Sequence, residues 1–239
     1  MTTTSSMPTS HVKPALEILK AILVIANGIA AFIILSLVEP AALAVLPTDR
    51  LQALFAFVHH AILDGAFLYA AWCFMTAALA RKANRFDLAL VRFSPRIIVW
   101  LIPGIVCVII AQIIWIGILT AFNVPSPVDD WGLPALYTTM PLSFATFVFI
   151  LCAIAPFCEE ILFRGVLFRW LTTKLPPMAA VLISAFVFAV FHFSIIALAS
   201  TFVLGVVNAL LVRRSGSVWP GILLHALNNA LFVITVLPR

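Results

Sequence analysis

Charge is scarce in this sequence. Asp, Glu, Lys and Arg make up 10% of its 239 residues, against about 25% in ordinary soluble domains. That excludes an ordinary soluble domain. The net charge of +5 would suggest nucleic acid as a partner for a soluble chain. Here the excess belongs to loops that face anionic lipid headgroups, so membrane lipid is expected as a partner and nucleic acid is not. Cysteine is also rare. Cys73, Cys107, Cys152 and Cys158 all lie in apolar segments without paired, metal-type spacing, which excludes a disulfide framework and makes them small apolar filler. Cys158 adjoins two glutamates, yet a thiol in apolar surroundings is a poor nucleophile. No His-Glu-x-x-His helix, internal repeat, soluble domain or low-complexity linker is present.

What the sequence has in abundance is apolar residues, 64% of the chain. Many runs approach or exceed the roughly 20 residues needed to cross a bilayer. The expected fold is an all-α, polytopic transmembrane bundle of about seven spans. Residues 1–14 read as a polar tail and 15–239 as a single membrane domain. The apolar run Ala21 to Val38 has no small-residue cleavage signal after it and reads as a retained first span. The spans are expected near Leu16–Val38, Leu51–Ala80, Ile97–Phe122 with a bend at Pro103-Gly104, Leu142–Thr173, Met178–Phe193, Ile195–Val212 and Val218–Leu237. A loop with Asp129, Asp130 and Trp131 separates the third and fourth. Arg81, Lys82, Arg85, Arg92, Arg96, Arg164, Arg169, Lys174, Arg213 and Arg214 fall on one side if the N-terminus is cytoplasmic. The expected location is a multi-pass position in the cell membrane.

Against this background Glu159 and Glu160 stand out, because an intramembrane carboxylate is costly and is a functional hypothesis by default. Glu159 lies 17 residues before Pro176, and His192 lies 15 after Pro177. At about 1.5 Å rise per residue an antiparallel hairpin brings both to one depth. His225 and Asn229, four apart on one face of the last span, enter from the same side and reach nearly the same layer. Glu160 and Arg164 are spaced for a helical ion pair. This divides the acids, with Glu159 facing the histidines as the chemical group and Glu160–Arg164 as scaffold. Phe188, one turn before His192, is expected to shape the cavity wall, and Pro156 and Gly165 to permit a bend and a close helix approach. His60 and Asp64 in the second span, beside His59, can pair as a structural lock; a proton path or a share in the active cavity is the other reading. Each polar group taken alone also fits interhelical glue or a buried ion network.

The set Glu-Glu-x-x-x-Arg (Glu159, Glu160, Arg164), Phe-x-x-x-His (Phe188, His192) and His-x-x-x-Asn (His225, Asn229) resembles the CPBP family. That family comprises the type II CAAX prenyl endopeptidases and bacteriocin-processing enzymes, also called Abi proteins. The extension Ala155-Pro156-x-x-Glu-Glu-x-x-x-Arg-Gly165-x-Leu167 resembles its bacterial branch. The resemblance covers residues 142–231. It implies intramembrane peptide-bond hydrolysis between the fourth, fifth and seventh spans, with Glu159 and His192 activating a water and His225 and Asn229 stabilising the oxyanion. It implies a peptide or protein substrate, which in a CAAX-type enzyme carries a lipidated C-terminus. The family also carries a metalloprotease label, and Glu159, His192 and His225 form a plausible zinc set. Asn229 is a poor zinc ligand, so metal-free glutamate chemistry is the expectation and zinc the alternative. The reading from another class is a catalytically idle relative that binds a membrane peptide, as in bacteriocin immunity. A small proton-coupled transporter is disfavoured by the lack of an inverted repeat.

Overall fold

The computed structural model describes residues 48–79, 84–85, 87–124, 138–192 and 194–236, with isolated helical positions between 15 and 45. Every regular element among the described residues is helical. The expected first span, the aspartates of the 123–141 loop and part of the basic segment near residue 82 lie outside them.

Helix α1 is Asp49–Leu79. A 3-10 turn, Pro95–Trp100, leads into α2, Leu101–Ala121. The change of helix type thus precedes Pro103, whose missing N–H costs nothing in the first turn. Gly104 serves instead as a contact point. A Cβ there would stand 2.9 Å from Val207 Cγ1 and 3.2 Å from Leu224 Cδ2. α3 is Pro141–Thr172, α4 is Pro177–Val190, α5 is Leu198–Ser215 and α6 is Trp219–Val236. Four helical segments among the described residues are long and apolar enough to cross a membrane: Asp49–Ala77, Pro95–Ala121, Pro141–Thr172 and Leu198–Ser215. The helices at the expected fifth and seventh positions are apolar but shorter. Isoleucines such as Ile102 and Ile113 point outward from α2, 69% and 65% exposed. An outer face of that kind suits hydrocarbon, not water. The chain is an all-α, polytopic integral membrane protein.

Local chemistry sets the joints. Asp49 at the start of α1 accepts hydrogen bonds from the backbone N–H groups of Leu142 and Ser143 at 2.7 and 2.8 Å, and from Ser143 Oγ. It therefore caps α3 from another helix, satisfying donors that every helix N-terminus leaves open. Pro176 and Pro177 start α4 after a tight turn. Gly216 ends α5 at φ 71°, a left-handed conformation suited to glycine, and its N–H closes onto Val212 O. The core between α1, α3, α4, α5 and α6 contains Phe163, Phe188, Leu204 and Leu224.

Candidate active site

α3 is not a uniform helix. It widens to π-helical turns at Ile150–Ile154 and Ile161–Phe168, on either side of the segment Ala155–Glu160. Proline explains the first widening. In the widened register Ala155 N–H bonds back to Ile150 O. The next carbonyl, Leu151 O, would take its bond from residue 156, but Pro156 has no N–H to give. Asn229 on α6 supplies the missing donor, its Nδ2 standing 2.8 Å from Leu151 O. π turns of this type recur at functional sites because they re-aim the side chains beside them.

Glu160 is fully buried and meets three donors at one oxygen. Asn208 Nδ2 lies 2.9 Å from Oε1, Arg164 Nη1 3.0 Å and His225 Nδ1 3.1 Å. The Arg164 contact is an ion pair without hydrogen-bond alignment, and none of the three guanidinium nitrogens has a hydrogen-bond partner among the described residues. Its charge is met in another way: Cζ sits 4.0 Å from the centre of the Phe188 ring, a cation–π contact that strengthens when water is excluded. Phe188 was expected to form a cavity wall. It lies instead at the centre of the cluster, edge-to-face with His192 and His225 at centroid distances of 4.7 and 5.6 Å. Gly205 and Gly221 keep room for the network. A Cβ on Gly205 would lie 3.1 Å from Arg164 Nη2, and one on Gly221 would lie 3.1 Å from Glu160 Oε2.

Glu159 is held differently. Its Oε2 lies 3.9 Å from His192 Nε2 and has no hydrogen-bond partner among the described residues. His192, expected at the end of the fifth span, lies in the turn just past α4. Its Nδ1 is 2.9 Å from Phe188 O, and because a carbonyl only accepts, Nδ1 carries the hydrogen and Nε2 is turned to Glu159. The same logic applies to His225, whose Nδ1 faces the Glu160 carboxylate. One ligand atom each from Glu159, His192 and His225 lie within 4.8 Å of one another. His225 therefore bonds Glu160 and stands within 4.8 Å of Glu159 without bonding it, where the sequence reading placed it with Glu159 alone. Asn229 is brought to the edge of this layer with one amide hydrogen committed to Leu151, while its oxygen accepts from Asn228.

The family model described as type II CAAX prenyl endopeptidase Rce1-like matches residues 141–231. This segment is Rce1-like. The match agrees with the CPBP resemblance of the motifs. Comparison with curated proteins and with solved structures gives no match.

The Rce1-like segment contains one site residue that the sequence reading missed, Asn208. Two signals could have exposed it: it is the one side-chain amide in α5, and it precedes Gly216 by eight residues while His225 follows by nine. The same depth arithmetic used for Glu159 and His192 would have paired them. Gly165 was expected to admit a neighbouring helix. Its close neighbour is the backbone of the α1–α2 connection, since a Cβ on Gly165 would lie 2.7 Å from Leu88 O. A cavity of about 850 Å³ lies between α1, α3 and α4, lined by Phe74, Met75, Phe163, Val166 and Phe191 and by the charged residues Asp87, Arg169 and Lys174. Phe163 joins it to the site by ring contacts with Phe188 and Phe191 at 5.2 and 5.6 Å.

Proposed function

We propose that this protein is an intramembrane endopeptidase of the CAAX-processing type, and that Glu159, His192, His225 and Asn229 perform the hydrolysis. The observation that carries this reading is the convergence of a loosely held carboxylate and two oriented imidazoles inside an apolar bundle. A water between Glu159 and His192 loses a proton to the Glu159 carboxylate and attacks the scissile carbonyl carbon. The new C–O bond moves charge onto the carbonyl oxygen. Asn229 offers that oxyanion the amide hydrogen not given to Leu151, and His225 offers Nε2–H when its ring carries both protons. Collapse of the intermediate breaks the C–N bond, and the proton passes from Glu159 to the leaving amine. Glu160, Arg164 and Phe188 support His225 and the backbone of α3.

A zinc reading has support of its own. Two imidazoles and a carboxylate are a fitting donor set, and both rings have Nδ1 engaged by an acceptor, the arrangement that orients metal-bound histidines. Glu159, His192 and His225 would hold the ion, which would supply Lewis-acid activation of water. The carboxyl-lined, metal-free route remains our principal reading.

The largely apolar lining of the 850 Å³ cavity, which also holds Arg169, Lys174 and Asp87, favours a lipidated, C-terminal peptide as substrate. The N-terminus is assigned to the cytoplasmic side, and the cell membrane is the expected location. The test is reconstitution in liposomes with lipidated and unlipidated C-terminal peptides and with transmembrane peptides, using wild type, Glu159→Gln and His192→Ala. Cleavage by wild type and by neither variant is expected. Cleavage that survives both substitutions overturns the mechanism, and binding without cleavage by wild type favours the idle, peptide-binding relative. Activity lost to a strong chelator and restored by zinc selects the metal reading.

A further inference from the structure

Asp64 is a third carboxylate at this depth, and the mechanism above leaves it without a task. It lies on α1, 6% exposed, and its buried Oδ2 has no hydrogen-bond partner among the described residues. α1 packs against the Ala155–Glu160 segment of α3. Asp49 at the start of α1 caps α3 at Leu142 and Ser143, so the two helices run level from that joint, and fifteen residues on Asp64 stands at the depth of the Ala155–Glu160 segment. The guanidinium that could have neutralised it, Arg164, is taken by Glu160. A buried carboxylate oxygen without a partner weakens a fold and is retained where function uses it. Glu159 Oε2 and Glu160 Oε2 are further such oxygens, but Glu160 is held through its other oxygen. Asp64 Oδ2 and Glu159 Oε2, unpartnered on packed elements, are an arrangement for holding one water between them.

We propose that Asp64 is a positioning residue of the active site, acting through Glu159 by holding that water. The proposal rests on the hydrolytic reading of Glu159. It adds a residue from outside the matched segment, so the N-terminal half contributes to the chemistry and is more than a wall.

The experiment compares Asp64→Asn, Asp64→Glu and wild type in liposomes with a cleavable peptide. Asp64→Asn should lower kcat at least tenfold, leave KM within twofold and leave the thermal midpoint unchanged or higher, and Asp64→Glu should recover part of the rate. A kcat within threefold of wild type, or a loss that follows a lower midpoint, overturns the proposal. A second readout needs no activity. Dicyclohexylcarbodiimide, an apolar carboxyl reagent, should label Asp64, and mass spectrometry should find the rate changed at least threefold in Glu159→Gln. An unchanged labelling rate overturns the link to Glu159 even if wild type cleaves nothing, an outcome that would count separately against the proposed activity.

Discussion

Asn229 donates to Leu151 O at 2.8 Å, closing the carbonyl that Pro156 leaves open in the π turn. The motif's last residue is thereby tied to the proline ahead of its first. The Asn229 amide N–H thus matters for stability because residue 156 lacks an N–H. Asn229→Ala should cost about 1 kcal/mol in the wild-type background, the net worth of a typical hydrogen bond. In a Pro156→Ala background the restored donor can serve Leu151, and the same substitution should cost little. Unfolding free energies of the four proteins in bicelles measure the coupling. A coupling near zero would reject the link.

The two adjacent glutamates should separate cleanly. Glu160 and Arg164 are both fully buried, and removing one partner of a buried ion pair costs about 3–5 kcal/mol because the other charge remains. Glu160→Gln should therefore lower the thermal midpoint sharply and lose activity with it. Glu159 has His192 at 3.9 Å and no closer ion-pair partner among the described residues. Glu159→Gln should abolish cleavage while the midpoint stays level or rises. Thermal scans alongside peptide cleavage decide, and equal destabilisation by both would remove the division of roles.

Residue counting alone reached this geometry, for a physical reason. Between Pro176-Pro177 and both Glu159 and His192 the chain is helical over most of its length, so number of residues converts approximately to depth even across the widened turn Ile161–Phe168. Where regularity fails, the counting gives less. Nothing in a simple period shows that α3 widens twice, because that depends on which carbonyl Pro156 orphans and which side chain arrives to satisfy it. The turn that ends α4 before His192 is likewise a tertiary matter. Nor could spacing tell that His225 leans on Glu160, since the choice between adjacent acids depends on a rotation of α3 that the π turns alter. Asn208 was within reach of the method, but one amide in an apolar run also fits helix packing.

Asn208 gives a graded test of the Glu160 network. Replacing it with Leu removes one of the two hydrogen bonds to Oε1 and should cost about 1.5–3 kcal/mol, the range for a hydrogen bond to a charged group. Asn208→Asp has nearly the same shape but sets a second carboxylate 2.9 Å from where Glu160 now accepts. It should be worse than Leu, and the excess should shrink at low pH as the pair takes up a proton. Denaturation followed at two pH values checks the order. If Asp is tolerated better than Leu at neutral pH, Glu160 does not carry the charge assigned to it.

Glycine substitutions should move stability in opposite directions according to what lies within reach of a new methyl. At Gly165 the added Cβ would fall 2.7 Å from Leu88 O. That neighbour is backbone and cannot swing aside, so Gly165→Ala should destabilise by about 1–3 kcal/mol, the range for forced overpacking. The shift would press on the π turn that carries Arg164 and reduce cleavage as well. At Gly117, inside α2, a Cβ meets nothing within 4 Å. There Ala should only improve helix propensity, by about 0.5–1 kcal/mol, with cleavage unchanged. Thermal midpoints of the two variants in one detergent provide the comparison. A stabilising Gly165→Ala would mean that the α1–α2 connection does not rest on α3 at this point, and that the approach of Leu88 is not what requires a glycine after Arg164.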